Sequence, residues 1–225
     1  MTITKYNLMK RFLLLIPAII FFFSSCEEKV VFVYPYNYNP VFTWGYAEYF
    51  GKYYENRQNP NQVISLNLFS DSLEIDSTRS LVGTGQYLYF EDIFMTPGDT
   101  LLPAGNYAIS NTGNAFTIYP GKQIEENGTK YDVGAYIYFI EKNNAYSVRK
   151  FITGGNMQVS YADNKTIINF NFQLIDSVKQ RNIYVKDTFE IKGKFEEQIP
   201  YFDFSTKPQM VRKSRVQKPI KIFSL

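Results

Sequence analysis

The sequence predicts an all-β protein, an antiparallel β-sandwich or a closed barrel of about nine to ten strands. Three observations lead there. Apolar residues alternate with polar ones along most of the chain beyond residue 40, as they do when side chains project to the two faces of a sheet. Gly and Asn clusters punctuate these stretches at short intervals and supply the positive φ that tight turns need. No segment shows a long capped helical repeat of the kind that crossover connections require.

Taken in order, residues 1–25 have the layout of a lipoprotein signal peptide. Lys5, Lys10 and Arg11 form a positive stretch, Phe12 to Phe23 an apolar run, and the small Ser24 and Ser25 precede Cys26. The apolar run is shorter than the roughly 20 residues that span a bilayer, and Glu27 and Glu28 come directly after Cys26. Cleavage before Cys26 and lipidation of its sulfur, with chains such as palmitate, are therefore expected. Residues 26–40, interrupted by Pro35 and Pro40, read as a lipidated tether that docks on the β domain.

Residues 41–206 form the β domain. Tyr46 to Arg57 could hold a short helix. Ile64, Leu66 and Leu68 alternate, as do Phe116 and Ile118, and Met157, Val159 and Tyr161. Asn143-Asn144 predicts a hairpin between 135–141 and 145–151, and Asp163-Asn164 another between 156–161 and 166–175. Ile168, Phe170, Phe172 and Leu174 share one face against Asn169, Asn171 and Gln173. In 183–195, Ile183, Val185, Phe189, Ile191 and Phe195 repeat that pattern, with Asp187 as the inward exception. Gly83-Thr-Gly85 and Gly154-Gly155 lack the lysine or helix start of a phosphate cradle and read as bends or bulges.

Charge is unevenly distributed. Residues 26–206 carry 15 basic and 21 acidic side chains, whereas 207–225 hold Lys207, Arg212, Lys213, Arg215, Lys218 and Lys221 without an acid. The last segment reads as a basic, disordered tail, with an anionic lipid surface as the alternative.

Composition excludes several chemistries. The chain has no histidine, so Ser-His-Asp, Cys-His and His-ligated zinc mechanisms are ruled out, and its one cysteine is assigned to lipid. No metal site, cofactor or catalytic residue is expected, and the chain reads as a non-enzyme. The adjacent acids Glu125-Glu126 and Glu196-Glu197 diverge on a strand and cannot make an acid–base couple. Glu48, Glu91, Asp92, Asp132 and Glu141 read as solvated surface acids.

The ligand-binding candidates are aromatic. Tyr87 and Tyr89, and likewise Tyr136 and Tyr138, alternate with aliphatic and phenyl residues, which predicts two central strands with a tyrosine face. That face either lines a ligand cavity or completes a second core layer. Trp44, the one tryptophan, lies among rings of the kind that stack on a pyranose.

The stretch Phe23-Ser-Ser-Cys26-Glu-Glu-Lys29 resembles lipoproteins of Bacteroidota, in which acids just after the cysteine act as a surface-export signal. Leu102-Pro-Ala-Gly-Asn-Tyr107, Gly154-Gly-Asn-Met-Gln-Val159 and Ile191-Lys-Gly-Lys-Phe195 are similar to β-rich lipoproteins of those bacteria, some of them calycin-like. The resemblance implies outer-membrane anchoring and surface exposure, but no activity. Asp71-Ser-Leu73, Asp76-Ser-Thr78, Asp99-Thr-Leu101 and Asp176-Ser-Val178 look like that group's O-glycosylation acceptors, which would be Ser72, Ser77, Thr100 and Ser177; Asx-turns use the same dipeptides. The expected function is that of a lipid-anchored binding or structural component. Its partners are the membrane, through the N-terminal lipid, and a glycan or surface protein, with no nucleic acid. The alternatives are a calycin-like carrier of an apolar small molecule and a carboxylate-dependent glycoside hydrolase.

Overall fold

The computed structural model describes residues 37–70, 72–77, 81–141, 146–180 and 183–206. It is all-β, with a closed eight-strand barrel and additional strands. The strands are β1 (Val41–Gly51), β2 (Gln62–Ser70), β3 (Leu73–Ile75), β4 (Leu81–Gly83), β5 (Gly85–Met95), β6 (Gly105–Ile109), β7 (Thr117–Ile118), β8 (Lys122–Glu126), β9 (Thr129–Val133), β10 (Ala135–Glu141), β11 (Tyr146–Ala162), β12 (Lys165–Gln180), β13 (Ile183–Glu197) and β14 (Tyr201–Asp203). One circuit runs β1-β2-β5-β10-β11-β12-β13 and returns to β1; towards the other end β7 and β6 take the place of β10 between β5 and β11. Closure removes the open sheet edges that would otherwise template aggregation.

The circuit through β10 has an odd number of strands, so an up-and-down path must close on a parallel pair. That pair is β13 with β1, at Val41↔Lys194 and Phe42↔Phe195. Past Pro200 the same strand line continues as β14, parallel to β1 from Ala47↔Tyr201 to Tyr49↔Asp203. β6 and β7 are also parallel. The expectation of antiparallel pairing throughout is corrected at these places.

Alternation decides which side chains meet. Ile64, Leu66 and Leu68 of β2, Leu88 and Phe90 of β5, and Ile168, Phe172 and Leu174 of β12 are all 0% exposed and belong to one interior cluster, to which every strand of the barrel contributes. Phe189 packs against it and Phe195 is buried in it. This shared apolar interior follows from the period-two pattern, because each strand turns its apolar face to a common axis.

The predicted 145–151 and 156–161 strands are one 17-residue strand, β11. It changes neighbour midway. Residues 146–151 pair with β10, while Asn156 to Val159 pair with β6. Between them the register against β12 shifts at Ile152/Gly154, and Gly155 has φ +100°. A Cβ at Gly155 would stand 2.1 Å from the Asn171 carbonyl oxygen, so the bulge expected at Gly154-Gly155 requires glycine there. The Asp163-Asn164 hairpin forms as expected. Both residues are left-handed (φ 51° and 62°), the geometry of a type I′ turn.

The short helix that Tyr46 to Arg57 could hold is reduced to a single turn. β1 runs through to Gly51, and only Glu55–Arg57 makes a single 3-10 turn. Trp44, Tyr46, Glu48 and Phe50 face outward from β1, and this alternation overrides the local helical propensity of the Ala-Glu stretch. Ahead of β1 the chain docks, with Lys192 N–H donating to Tyr38 O (2.9 Å) and Lys194 N–H to Pro40 O (3.1 Å). The expectations for Cys26, the Asn143-Asn144 turn and the 207–225 tail lie outside the described residues, as do the side chains of Ile183, Val185, Asp187 and Ser177.

Candidate functional site

The outside of β1, β2, β5, β10 and β11 carries an aromatic wall whose rows are set by the strand register. In the first row, Trp44 pairs with Phe69, Phe69 with Tyr87, Tyr87 with Tyr138, and Tyr138 with Arg149. Directly opposite residues on one face lie close enough for their rings to stack. Trp44 and Phe69 are stacked at 3.9 Å and 13°, Phe69 and Tyr87 at 4.6 Å and 2°, and Tyr87 and Tyr138 at 6.0 Å and 3°. Arg149 ends the row, with its guanidinium carbon 5.7 Å from the Tyr138 ring centre and 5.3 Å from that of Phe151.

The second row is Tyr46, Asn67, Tyr89, Tyr136 and Phe151. Here Asn67 breaks the aromatic sequence, accepting a hydrogen bond from Tyr87 Oη at 2.6 Å, and Tyr89 and Tyr136 lie 5.0 Å apart. Beyond it stand Glu48 and Ser65, with Ser65 Oγ donating to Glu48 Oε2 at 2.7 Å. Nearby, Glu91 accepts from Gly134 N–H at 2.7 Å.

Two hairpins fold against this wall. β3 and β4 bring Leu73 and Leu81 onto the first row, and Trp44 Nε1–H donates to Leu73 O at 2.8 Å. In the β8–β9 hairpin, Asp132 pairs with Arg149 and accepts from Gln123 Nε2 at 3.2 Å. Burial of Arg149 lowers the pKa of its guanidinium. Burial also raises the phenols of Tyr87 and Tyr136 well above their ordinary value and pushes Tyr138 up to about 12.

The four candidate tyrosines thus come together, but on the outside of the barrel and not around an internal cavity. The apolar partners Leu88, Phe90, Ile137 and Phe139 turn inward, because an apolar interior has no partners for four phenolic hydroxyls. Trp44 lies on the same wall, half-buried. The surface reading of the acids is corrected in part. Glu48 is 1% and Asp92 3% exposed, with Tyr54 Oη donating to Asp92 Oδ2 at 2.7 Å. Glu48 was legible in principle, since it is in step with Trp44, Tyr46 and Phe50. Ser72, Ser77 and Thr100 are exposed at turns or loops. Among the described residues no group of three or more acidic, histidine or cysteine side chains is placed to hold a metal.

A second feature lies at the other end of the barrel. A shallow, open cleft of about 490 Å³ runs between the Asp163-Asn164 turn and Gln198 to Tyr201. Its Tyr161 hydroxyl donates to Leu102 O.

No family model, curated protein or solved structure matches this chain.

Proposed function

We propose that this chain is a lipid-anchored outer-membrane or cell-surface lipoprotein, a binding or structural component tied to the bilayer through Cys26. The observation that carries the reading is the fastening of residues 37–40. Asn37 N–H donates to Gln86 Oε1 at 3.1 Å, and the next residues pair with β13. An acylated Cys26 would therefore hold the barrel through only residues 26–36, a span of at most about 40 Å when extended. The Bacteroidota-like signal and the acids after Cys26 support an outward-facing position.

The aromatic wall supports a binding role for a glycan or a surface protein, with Trp44 at its accessible end. A calycin-like carrier needs a cavity inside the barrel, where apolar side chains from its strands cluster. A carboxylate hydrolase needs two acids converging on a cleft; the buried acids here hydrogen-bond to Ser65 and Tyr54.

The test is metabolic palmitate labelling with membrane fractionation. The wild-type chain is expected to take up label and sediment with membranes, and Cys26→Ser to lose the label and appear in the soluble fraction. An unlabelled wild-type chain, or a Cys26→Ser chain that stays with the membranes, would falsify the anchor. Protease shaving of intact cells then separates the outer face from the inner one.

A further inference from the structure

We propose that the open cleft between the Asp163-Asn164 turn and Gln198 to Tyr201 binds a neutral saccharide, stacking the C–H face of a hexopyranose on Tyr161 and taking its hydroxyls with Asn164 and Gln198. The proposal rests on the binding role given above only in treating the chain as one that binds; its residues are not those of the aromatic wall. The cleft exists because the seam of the barrel opens there. The β12–β13 ladder ends at Thr166↔Glu197. After Gln198-Ile199-Pro200 the chain resumes as β14, whose one neighbouring strand among the described residues is β1. Pro200 has no N–H with which to continue a ladder. The gap beside β14 is the cleft, of about 490 Å³, within the size range of small-molecule sites, for which the mouth of a β-barrel is a usual place.

Tyr161 supplies the platform. It continues the inward row of Met157 and Val159, which are buried in the core, but at the end of the barrel it is 49% exposed. Its hydroxyl donates to Leu102 O, so the ring is held in place before a ligand arrives and little side-chain entropy is lost on binding. Such an amphipathic ring offers its face to an apolar C–H surface while its hydroxyl stays satisfied. Thr166 and Ile199, 4% and 8% exposed, give the cleft a floor that is part hydroxyl and part apolar. Asn164 and Gln198 stand exposed on its two sides, and an amide both donates and accepts, as sugar hydroxyls require. Charge argues against other ligands. Among the lining residues Asp163 alone is charged, and the neighbouring Lys165 pairs with Glu197 at 3.2 Å. A phosphate or carboxylate would therefore meet a carboxylate, and a fatty chain would meet an open polar rim. An extended peptide adding to the edge of β14 would find a strand of three residues.

Saturation-transfer NMR tests this on the full chain, held in a zwitterionic detergent that has no sugar headgroup, with methyl glucoside, methyl galactoside, methyl mannoside, cellobiose and lactose as probes. At least one is expected to bind with a dissociation constant of about 1 mM, in keeping with an open site, and to show transfer concentrated on the C–H protons of one ring face. Tyr161→Ala is expected to weaken binding about tenfold and Gln198→Ala about threefold, the losses of a stacked ring and of one neutral hydrogen bond. Should Tyr161→Ala fail to fold, Gln198→Ala at its exposed position decides. Unchanged binding in either folded cleft variant overturns the proposal; if Trp44→Ala loses it instead, the saccharide lies on the aromatic wall and the binding role proposed above stands. No transfer to any of these sugars, or tighter binding of glucose 6-phosphate than of methyl glucoside, overturns it as well. The anchor at Cys26 is untouched by these results, since palmitate labelling tests it separately.

Discussion

Trp44 joins two layers with one side chain: its ring stacks on Phe69 and its Nε1–H holds the carbonyl of Leu73 on the β3–β4 hairpin. Trp44→Ala removes both and is expected to cost about 2–3 kcal/mol, below the full range for a buried tryptophan because the residue is only half-buried. Trp44→Phe keeps a ring over Phe69 and loses one hydrogen bond, about 1 kcal/mol. Urea unfolding distinguishes the two, and amide exchange at Leu73 to Ile75 should quicken in both. Equal costs for the two variants would mean that the stack contributes nothing. At this scale much was legible. The alternation of Tyr87, Tyr89, Tyr136 and Tyr138 with aliphatic and phenyl residues marks a two-faced strand pair, but period two does not say which face closes inward. Glu48 was missed because a single acid among aromatic residues reads as surface until the wall around it is assembled.

Among the elements, β11 shows how a local irregularity directs pairing. Its two halves have different partners, β10 and β6, and the change falls at the Gly154-Gly155 bulge. Gly155→Ala forces a Cβ into the Asn171 carbonyl at a φ that side chains avoid, and a loss of about 3 kcal/mol or more is expected. Thermal melting checks it; a midpoint within a degree or two of wild type would show that the backbone relaxes and that the bulge needs no glycine. The two glycines announced a bulge in the sequence. Their consequence, a strand that passes from one neighbour to another, was not legible there, because it depends on β6, some fifty residues earlier. Asp163-Asn164 is the contrary case, a turn whose residues carry their own left-handed preference and need no tertiary context.

For the molecule as a whole, the outer wall makes stability sensitive to alkali. Tyr87, Tyr136 and Tyr138 are neutral phenols whose pKa is raised in the folded state by burial. The unfolded chain releases these protons near its ordinary value of 10.0, before the folded chain does. Their contribution is therefore complete below about pH 10 and is lost as pH climbs, for Tyr138 between about 10 and about 12. The urea midpoint should be flat up to about pH 10 and fall above it, with Tyr138→Phe falling less steeply. An identical decline in wild type and Tyr138→Phe would show that this phenol is solvated.

By itself the sequence determined the all-β class, the two-faced strands, the hairpin at Asp163-Asn164 and the bulge at Gly154-Gly155. Each of these is a property of a few consecutive residues: the pleat alternates side chains, and certain residues accept positive φ. Only the tertiary structure decided that an odd-stranded circuit closes through the parallel β13–β1 pair, that the tyrosines face outward, and that Glu48 is buried among them. Those outcomes depend on which distant segments become neighbours. That choice is governed by filling a shared interior and by the cost of closing loops, and neither is encoded in the residues on one strand.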